Sequence, residues 1–128
     1  MSSLPPVRGV LVAHGAMATG LVDAVRKIAG PDPEALVPLS NDGRNPDELA
    51  EEIEKVVGDD PAIIFTDMQS GSCAMAARLT CRERPHRVVV CGANLPMLLD
   101  FVFNRSLSPP ELVERLLERG KAAIRSVP

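Results

Sequence analysis

Four short apolar runs alternate along this chain with longer segments whose apolar residues recur at helical spacing. Runs this short, bounded by glycine, proline and other turn residues, are typical of buried strands. The connections between them are too long for hairpins, so the strands are predicted to run parallel, with helices on both faces of the sheet. The predicted strands are residues 7–13, 36–39, 62–66 and 88–91. The pattern therefore predicts a three-layer α/β fold.

The order of the strands follows from their composition. The second run contains Pro38, which lacks the N–H group that an interior strand donates, and is therefore predicted at the sheet edge. The third run is continuously apolar, as expected of a central strand. These features predict an open, mainly parallel sheet of order 2-1-3-4. No repeat or linker divides the chain, so residues 1–128 are predicted to form a single domain.

The helical segments also give predictions about burial. The inward face of the first helix is predicted by the apolar residues Met17, Leu21, Ala24, Val25 and Ile28. The third helix is predicted over residues 74–81, with Met75 among its inward residues. The charged run Arg82–Arg87 is predicted to be a solvated surface, with contact to an acidic partner as the alternative.

Composition excludes several classes of function. The net charge is −3, with no tryptophan, no tyrosine and three phenylalanines, which argues against nucleic-acid binding. No apolar run is long enough to span a membrane and no signal-peptide pattern opens the chain, so a cytoplasmic location is expected. The three cysteines are odd in number and lack C-x-x-C spacing. We therefore expect reduced thiols, no metal centre and no cofactor.

Polar residues follow three of the predicted strands: His14 after the first, Asp67 after the third and Asn94 after the fourth. In a 2-1-3-4 sheet, the crevice between strands one and three is the topological switch point, where the order of the strands reverses and where ligands bind. His14 and Asp67 are predicted to flank it. A histidine can act as a nucleophile or base near neutral pH, and a neighbouring carboxylate orients the ring and stabilises its cation.

Small and hydroxyl residues stand at two predicted helix N-termini near this pair. They are Gly15, Ser70, Gly71 and Ser72. Exposed backbone N–H groups at a helix N-terminus bind anions, so the whole set predicts a phosphoryl-accepting site. Simpler interpretations stay open, because the serines and Asn94 also suit helix caps and Asp67 also suits an N-cap. Cys73 lies beside the predicted site, and its reactivity is worth testing.

Three motifs resemble one protein family. They are Val10–Gly15, the run Ile63–Asp67 followed by Ser70–Ser72, and Gly92–Leu98 with its Asn-Leu-Pro-Met-Leu sequence. Together they resemble the IIA component of the mannose class of the bacterial phosphotransferase system. The resemblance extends from Val10 to about Gly120.

The resemblance implies a function for each predicted site residue. In that family the histidine matching His14 accepts a phosphoryl group on Nε2 from the phosphocarrier protein HPr. It then passes the group to a histidine of a separate IIB component. By resemblance, Asp67 orients His14, and Ser72 helps to hold the phosphoryl group with Gly15 and Gly71. The family also implies a 2-1-3-4 sheet and a cytoplasmic homodimer, peripheral to a membrane permease and often exchanging a C-terminal strand.

The sequence departs from the family pattern beside the histidine. Ala13 stands where threonine or serine is usual, Cys73 replaces a proline, and Met75 replaces a frequent asparagine. Such changes suit a different partner or a regulatory module whose phosphorylation controls that partner. A phosphoryl donor for dihydroxyacetone kinase is a related alternative. A small hydrolase or chelatase using His14 as a base is a third interpretation.

Overall fold

Strand and helix alternate strictly through the first eight elements. The computed structural model describes residues 5–128, so the first four residues of the predicted domain lie outside the described range. Within it the chain forms four strands and five helices: β1 Arg8–Ala13, α1 Met17–Ala29, β2 Leu36–Ser40, α2 Pro46–Val57, β3 Ala62–Thr66, α3 Ser72–Cys81, β4 Arg87–Cys91, α4 Leu95–Phe103 and α5 Pro109–Ala122. None of these described helices has the length and hydrophobicity needed to cross a lipid bilayer.

The strands form one all-parallel sheet of order β2-β1-β3-β4. The predicted fold class and strand order are therefore confirmed. β2 lies at an edge, and Pro38 pairs with Leu11 of β1 in the register. On the other side of β1, Val12 pairs with Thr66 of β3. Strands β1 and β3 therefore end side by side, and the residues that follow them lie at the same edge of the sheet.

Alternate residues of the central strands face two separate cores. In β1, Leu11 and Ala13 pack with α1, α4 and α5, whereas Val10 and Val12 pack with α2 and α3. This alternation follows from the two-residue period of a strand. Because both faces are covered by helices, the strands are apolar except at Arg8, Ser40, Thr66 and Arg87, each of which is the first or last residue of its strand.

The predicted inward faces of two helices are wrong in detail. α1 buries Ala18, Val22 and Val25, whereas Met17 and Ile28 are 44% and 62% exposed. The predicted stripe was therefore rotated about the helix axis, since one residue corresponds to about 100°. Met75 is also exposed, at 55%, because α3 begins at Ser72 and presents its alanines to the sheet.

Arg87 contradicts the prediction of a solvated Arg82–Arg87 surface. Its side chain is 3% exposed and forms an ion pair with Glu54 of α2. The guanidinium also donates to the carbonyl oxygens of Thr80 and Gly58. The hydrogen bond from Arg87 lowers the pKa of Glu54 and outweighs the opposite effect of burial. As the first residue of β4, Arg87 enters the space between α2 and α3 and ties them to the amino end of the sheet.

Candidate functional site

His14 and Asp67 meet at the carboxyl end of the sheet. Each follows the last residue of its strand, β1 for His14 and β3 for Asp67, and the parallel register sets them side by side. Oδ2 of Asp67 lies 3.0 Å from the backbone nitrogen of His14 and 2.8 Å from its Nδ1. The carboxylate therefore holds both the main chain and the ring of the histidine.

The two side chains differ in exposure. The imidazole of His14 is 42% exposed, whereas the Asp67 side chain is 9% exposed. Burial raises the pKa of Asp67, but the hydrogen bonds from the backbone and side chain of His14 outweigh it, and the net pKa is below its usual range. Asp67 is therefore ionised at neutral pH. An ionised carboxylate can only accept, so Nδ1 carries the proton and the lone pair of the neutral ring is on Nε2.

Nε2 faces the N-terminus of α3. Gly71 is the N-cap residue of this helix, and a methyl group placed on its Cα would lie 3.6 Å from Nε2. Its φ of +92° is one that other residues rarely adopt. Backbone N–H groups in the first turn of a helix lack intrahelical partners and attract anions. The free nitrogen of His14 is thus next to an anion-binding helix end.

Asn41 is a site residue that the sequence analysis missed. It follows β2, and its Oδ1 accepts a hydrogen bond from the backbone N–H of Gly15 at 3.3 Å. Its Nδ2 donates to Oγ of Ser72 at 3.3 Å. Asn41 therefore joins the two loops that surround His14. Its position after a strand adjacent to β1 was the available signal, but the loop sequence suggested only a turn.

Two predicted supporting residues are not joined to the histidine–carboxylate pair. Ser70 is exposed in the loop before α3, and neither His14 nor Asp67 forms a hydrogen bond with it. Asn94 caps α4 by accepting from the N–H of Met97, and its amide donates to the carbonyl of Gly120. Asn94 thus caps α4, which is the simpler of its two interpretations, and it also connects α4 with α5.

Cys73 is closer to the histidine than the sequence suggested. Its Sγ lies 3.7 Å from Nδ1 of His14, and the residue is fully buried in the first turn of α3. Burial, assisted by the negative charge of Asp67, raises the pKa of the thiol to about 11. At neutral pH Cys73 is therefore a protonated thiol and a poor nucleophile. The group at this site suited to nucleophilic attack is Nε2 of His14.

Comparison with known proteins identifies the family. The profile of the EIIA-man family, described as the PTS system fructose IIA component, matches residues 9–117. The PTS system sorbose-specific EIIA component of Klebsiella pneumoniae is 32% identical over 117 residues, which cover 86% of this chain and 84% of that relative.

Solved structures agree with this fold. A phosphotransferase system EIIA component from Streptococcus agalactiae has a TM-score of 0.86 at 22% identity, covering 94% of this chain and 96% of its own. The mannose/sorbose specific IIA subunit from Enterococcus faecalis has a TM-score of 0.84 at 21% identity, covering 97% and 96%. At these identities the likeness concerns the fold alone. The match to the family profile and the sorbose-specific relative show that this chain belongs to the EIIA-man family of phosphotransferase system IIA components.

Proposed function

We propose that this protein carries a phosphoryl group on Nε2 of His14, receiving it from phospho-HPr and passing it to a separate IIB component. The single observation that carries the proposal is the hydrogen bond of 2.8 Å between Nδ1 of His14 and Oδ2 of Asp67. It leaves the lone pair on Nε2, the nitrogen that faces Gly71 and the helix end. Family membership supports the same role.

The transfer step uses the two residues in turn. The lone pair of Nε2 attacks phosphorus, a new nitrogen–phosphorus bond forms, and the bond between phosphorus and the donor atom breaks with its electron pair leaving on the donor. The ring of His14 gains positive charge as this bond forms. Ionised Asp67 stabilises that charge through the proton on Nδ1, which stays in place. Transfer onward is the reverse attack by the acceptor.

The phosphoryl oxygens would be held between the first turn of α3 and the loop at Gly15. The first turn of α3 offers unpaired N–H groups, and the hydroxyl of Ser72 lies at its start. Asn41 links that hydroxyl to Gly15 and so fixes the spacing of the two loops. Loops that are already ordered lose little conformational entropy when a ligand binds. Such a site suits a phosphoryl group that must be both accepted and released.

An exposed apolar border suits docking of a protein donor and acceptor. Met17, Met68 and Met75 are 44%, 48% and 55% exposed, and each is within a few residues of His14, Asp67 or Gly71 in sequence. Methionine side chains are flexible and suit surfaces that accept more than one partner. Arg78 and Arg82 are exposed on the same side of α3 as Met75, in one groove, and would attract a phosphorylated donor.

The relatives reported above are named for sorbose and mannose systems, and the family profile for a fructose system. The implied homodimer and the cytoplasmic location also stay predictions, as does a peripheral association with a membrane permease. The homodimer is tested by sedimentation of the purified chain, in which a single species at the monomer mass across the micromolar range would contradict it.

The test of the proposed function is labelling with radioactive phosphoenolpyruvate, enzyme I and HPr. The wild-type chain is expected to take up one phosphoryl group that acid removes. His14→Gln is expected to abolish labelling, whereas His86→Gln is the matched control, since His86 is the other histidine and is exposed in the turn before β4. Undiminished labelling of His14→Gln would contradict the assignment.

Onward transfer separates the carrier from the regulatory alternative. The labelled chain, freed of HPr, is mixed with IIB components of the mannose class, and loss of label to IIB is expected within the time of a normal transfer assay. A labelled chain that discharges to no IIB, and instead binds another protein in a phosphorylation-dependent manner, would favour the regulatory role. Discharge to dihydroxyacetone kinase would identify the other alternative.

A further inference from the structure

We propose that His14, Asp67 and Cys73 form a binding site for a thiophilic divalent cation, with Zn²⁺ as the best-fitting ion. The three residues come from three elements: the end of β1, the end of β3 and the first turn of α3. One ligand atom from each side chain lies within 4.8 Å of the other two. The sequence analysis expected no metal centre because the cysteines lack a ligand spacing, but only the fold brings these three side chains together.

The two distances from Nδ1 of His14 are close to those between the ligands of a tetrahedral ion. Nδ1 of His14 is 2.8 Å from Oδ2 of Asp67 and 3.7 Å from Sγ of Cys73. Zinc bonds of about 2.0–2.1 Å to nitrogen and oxygen and about 2.3 Å to sulfur separate tetrahedral ligands by roughly 3.3–3.6 Å. The nitrogen–sulfur distance is therefore already suitable. The nitrogen–oxygen distance would open by about half an ångström, which a small rotation of the half-exposed imidazole supplies.

Asp67 provides an independent indication of a cation. Its side chain is 9% exposed, and its Oδ1 is buried with no hydrogen-bond partner among the described residues. A buried carboxylate oxygen without a donor is costly, and bound cations are one of the usual ways in which proteins satisfy it. Imidazole, carboxylate and thiolate are also the three ligand types that zinc takes in proteins.

Binding exchanges one proton of the protein for the metal ion. The thiol of Cys73 loses its proton to solvent, and sulfur donates an electron pair to the cation. Nδ1 of His14 does the same, and the proton that it carried moves through solvent to Nε2. Asp67 donates from Oδ2, the oxygen next to Nδ1, with the unpartnered Oδ1 of the same carboxylate available to share the ion, and a water completes the coordination. Nothing is oxidised or reduced, and one proton is released for each ion bound.

This exchange has a consequence that rests on the proposed phosphoryl-carrier function. With metal on Nδ1, the neutral ring carries its proton on Nε2, so the lone pair that attacks phosphorus is lost. Metal binding and phosphorylation of His14 are therefore mutually exclusive. The same three residues would make the carrier sensitive to free zinc.

The test of the site uses Co²⁺ as a probe, added to the metal-free protein under anaerobic conditions with a non-chelating reductant. The wild-type protein is expected to develop a thiolate-to-cobalt charge-transfer band that saturates at one equivalent and disappears when Zn²⁺ is added. Cys73→Ser is expected to lose the band. Cys81→Ser and Cys91→Ser are matched controls that keep it, because these thiols are outside the cluster. No band in the wild type, or a band in Cys73→Ser, would overturn the proposal.

Two further variants cover the case in which Cys73→Ser fails to fold. Asp67→Asn and His14→Gln keep the buried thiol and are each expected to weaken Co²⁺ binding about tenfold or more. Their folding is checked by circular dichroism before titration. His86→Gln is the control for a histidine outside the cluster. Wild-type affinity in both Asp67→Asn and His14→Gln would show that any cobalt signal arises elsewhere and would overturn the proposal.

The coupling to phosphorylation is measured separately. One equivalent of Zn²⁺, added before phospho-HPr, is expected to prevent labelling of the wild type, and a chelator is expected to restore it. Labelling of HPr itself at the same zinc concentration controls for effects on the donor. A chain that is never labelled, even without metal, would contradict the carrier function while leaving the cobalt result intact. Labelling at full metal occupancy would contradict the coupling alone.

Discussion

At each end of the sheet a basic side chain is paired with a carboxylate, Arg87 with Glu54 and His14 with Asp67, and the two pairs differ in burial and in hydrogen bonding. At the amino end, Arg87 is 3% exposed and donates to both carboxylate oxygens of Glu54 and to two backbone carbonyls. At the carboxyl end, His14 is 42% exposed and shares one oxygen of Asp67. There, Nε2 of the histidine and Oδ1 of the aspartate form no hydrogen bond in the described part of the chain.

The difference separates a pair that joins secondary-structure elements from a pair that leaves polar atoms without partners, as the proposed carrier function requires. The hydrogen bonds that Arg87 donates run from β4 to Thr80 in α3 and to Gly58 at the end of α2. The pair at the amino end therefore contributes to holding α2, α3 and β4 together. At the carboxyl end, Oδ1 of Asp67 is buried without a hydrogen-bond partner in the described part of the chain, and Nε2 of His14 lies beside the N-terminus of α3. Unsatisfied polar atoms are costly in a folded protein, and they persist mainly where a ligand or a reaction needs them.

The largest expected effect is on phosphoryl transfer in Asp67→Asn. The amide can still accept from the backbone of His14 but cannot stabilise the imidazolium, so the transfer rate should fall about 10²- to 10⁴-fold. Quenched-flow labelling with phospho-HPr measures this rate. Urea denaturation should show a change in stability of under about 1 kcal/mol. A normal transfer rate in Asp67→Asn would contradict the proposal that Asp67 stabilises the imidazolium of His14.

The next effect is on stability in Arg87→Met. The variant leaves the carbonyls of Thr80 and Gly58 without donors and should lower the free energy of unfolding by about 2–4 kcal/mol. The matched control is Arg8→Met: the Arg8 side chain is 31% exposed, against 3% for Arg87, so its loss should cost under about 1 kcal/mol. Phosphoryl transfer by the folded Arg87→Met protein should be unchanged. A transfer defect there would mean that the two ends are coupled.

Gly71→Ala should impair the site by steric and conformational strain together. The new methyl group would lie 3.6 Å from Nε2, in the space that the phosphoryl group requires, at a φ of +92°. We expect about a tenfold or greater loss in transfer rate and about 1–2 kcal/mol of destabilisation. Gly30→Ala is the control, because its φ of +101° is also positive and it lies at the C-terminal end of α1, away from the site. Equal effects of both variants on transfer would contradict the steric argument.

The smallest expected effect is the pH-dependent loss of stability in Glu54→Gln. The pKa of Glu54 is lowered from 4.5 by Arg87, so its contribution is present above the unfolded-state pKa and is lost as the pH falls through the folded-state pKa. Glu54→Gln should therefore be destabilised at pH 7 by about 0.5–1 kcal/mol, a small value because Glu54 is 41% exposed. The deficit should vanish at acid pH in urea titrations. A deficit independent of pH would indicate a packing effect instead.

The sequence predicted the strand order and the adjacency of His14 and Asp67, because both depend on apolar pattern and on Pro38, which are local properties. It missed Asn41 and the closeness of Cys73 to His14, because these depend on how two loops fold over the sheet edge. The burial of Arg87 was missed for a similar reason, since its partners come from other elements. Their proximity is set by packing, which no local sequence pattern records.

The helix faces illustrate a second limit. Met17 and Ile28 fit an apolar stripe by spacing, yet the helix is rotated so that smaller residues face the sheet. Apolar residues on a surface near a reactive group obey the same spacing rules as core residues, so periodicity alone cannot separate docking surface from core. Exposure in the folded chain makes that distinction.

His14 and Asp67 are 53 positions apart and become neighbours only when β1 pairs with β3 in the correct register. A slip of one residue would reverse the face of every side chain in the strand and separate the pair. Contacts between distant parts of a chain form late in folding, after the entropy of closing the loop has been lost. If His14 is the phosphoryl carrier, an incompletely folded chain has a histidine without its carboxylate and accepts no phosphoryl group from the donor. Competence to carry the group would then itself report that the molecule has finished folding.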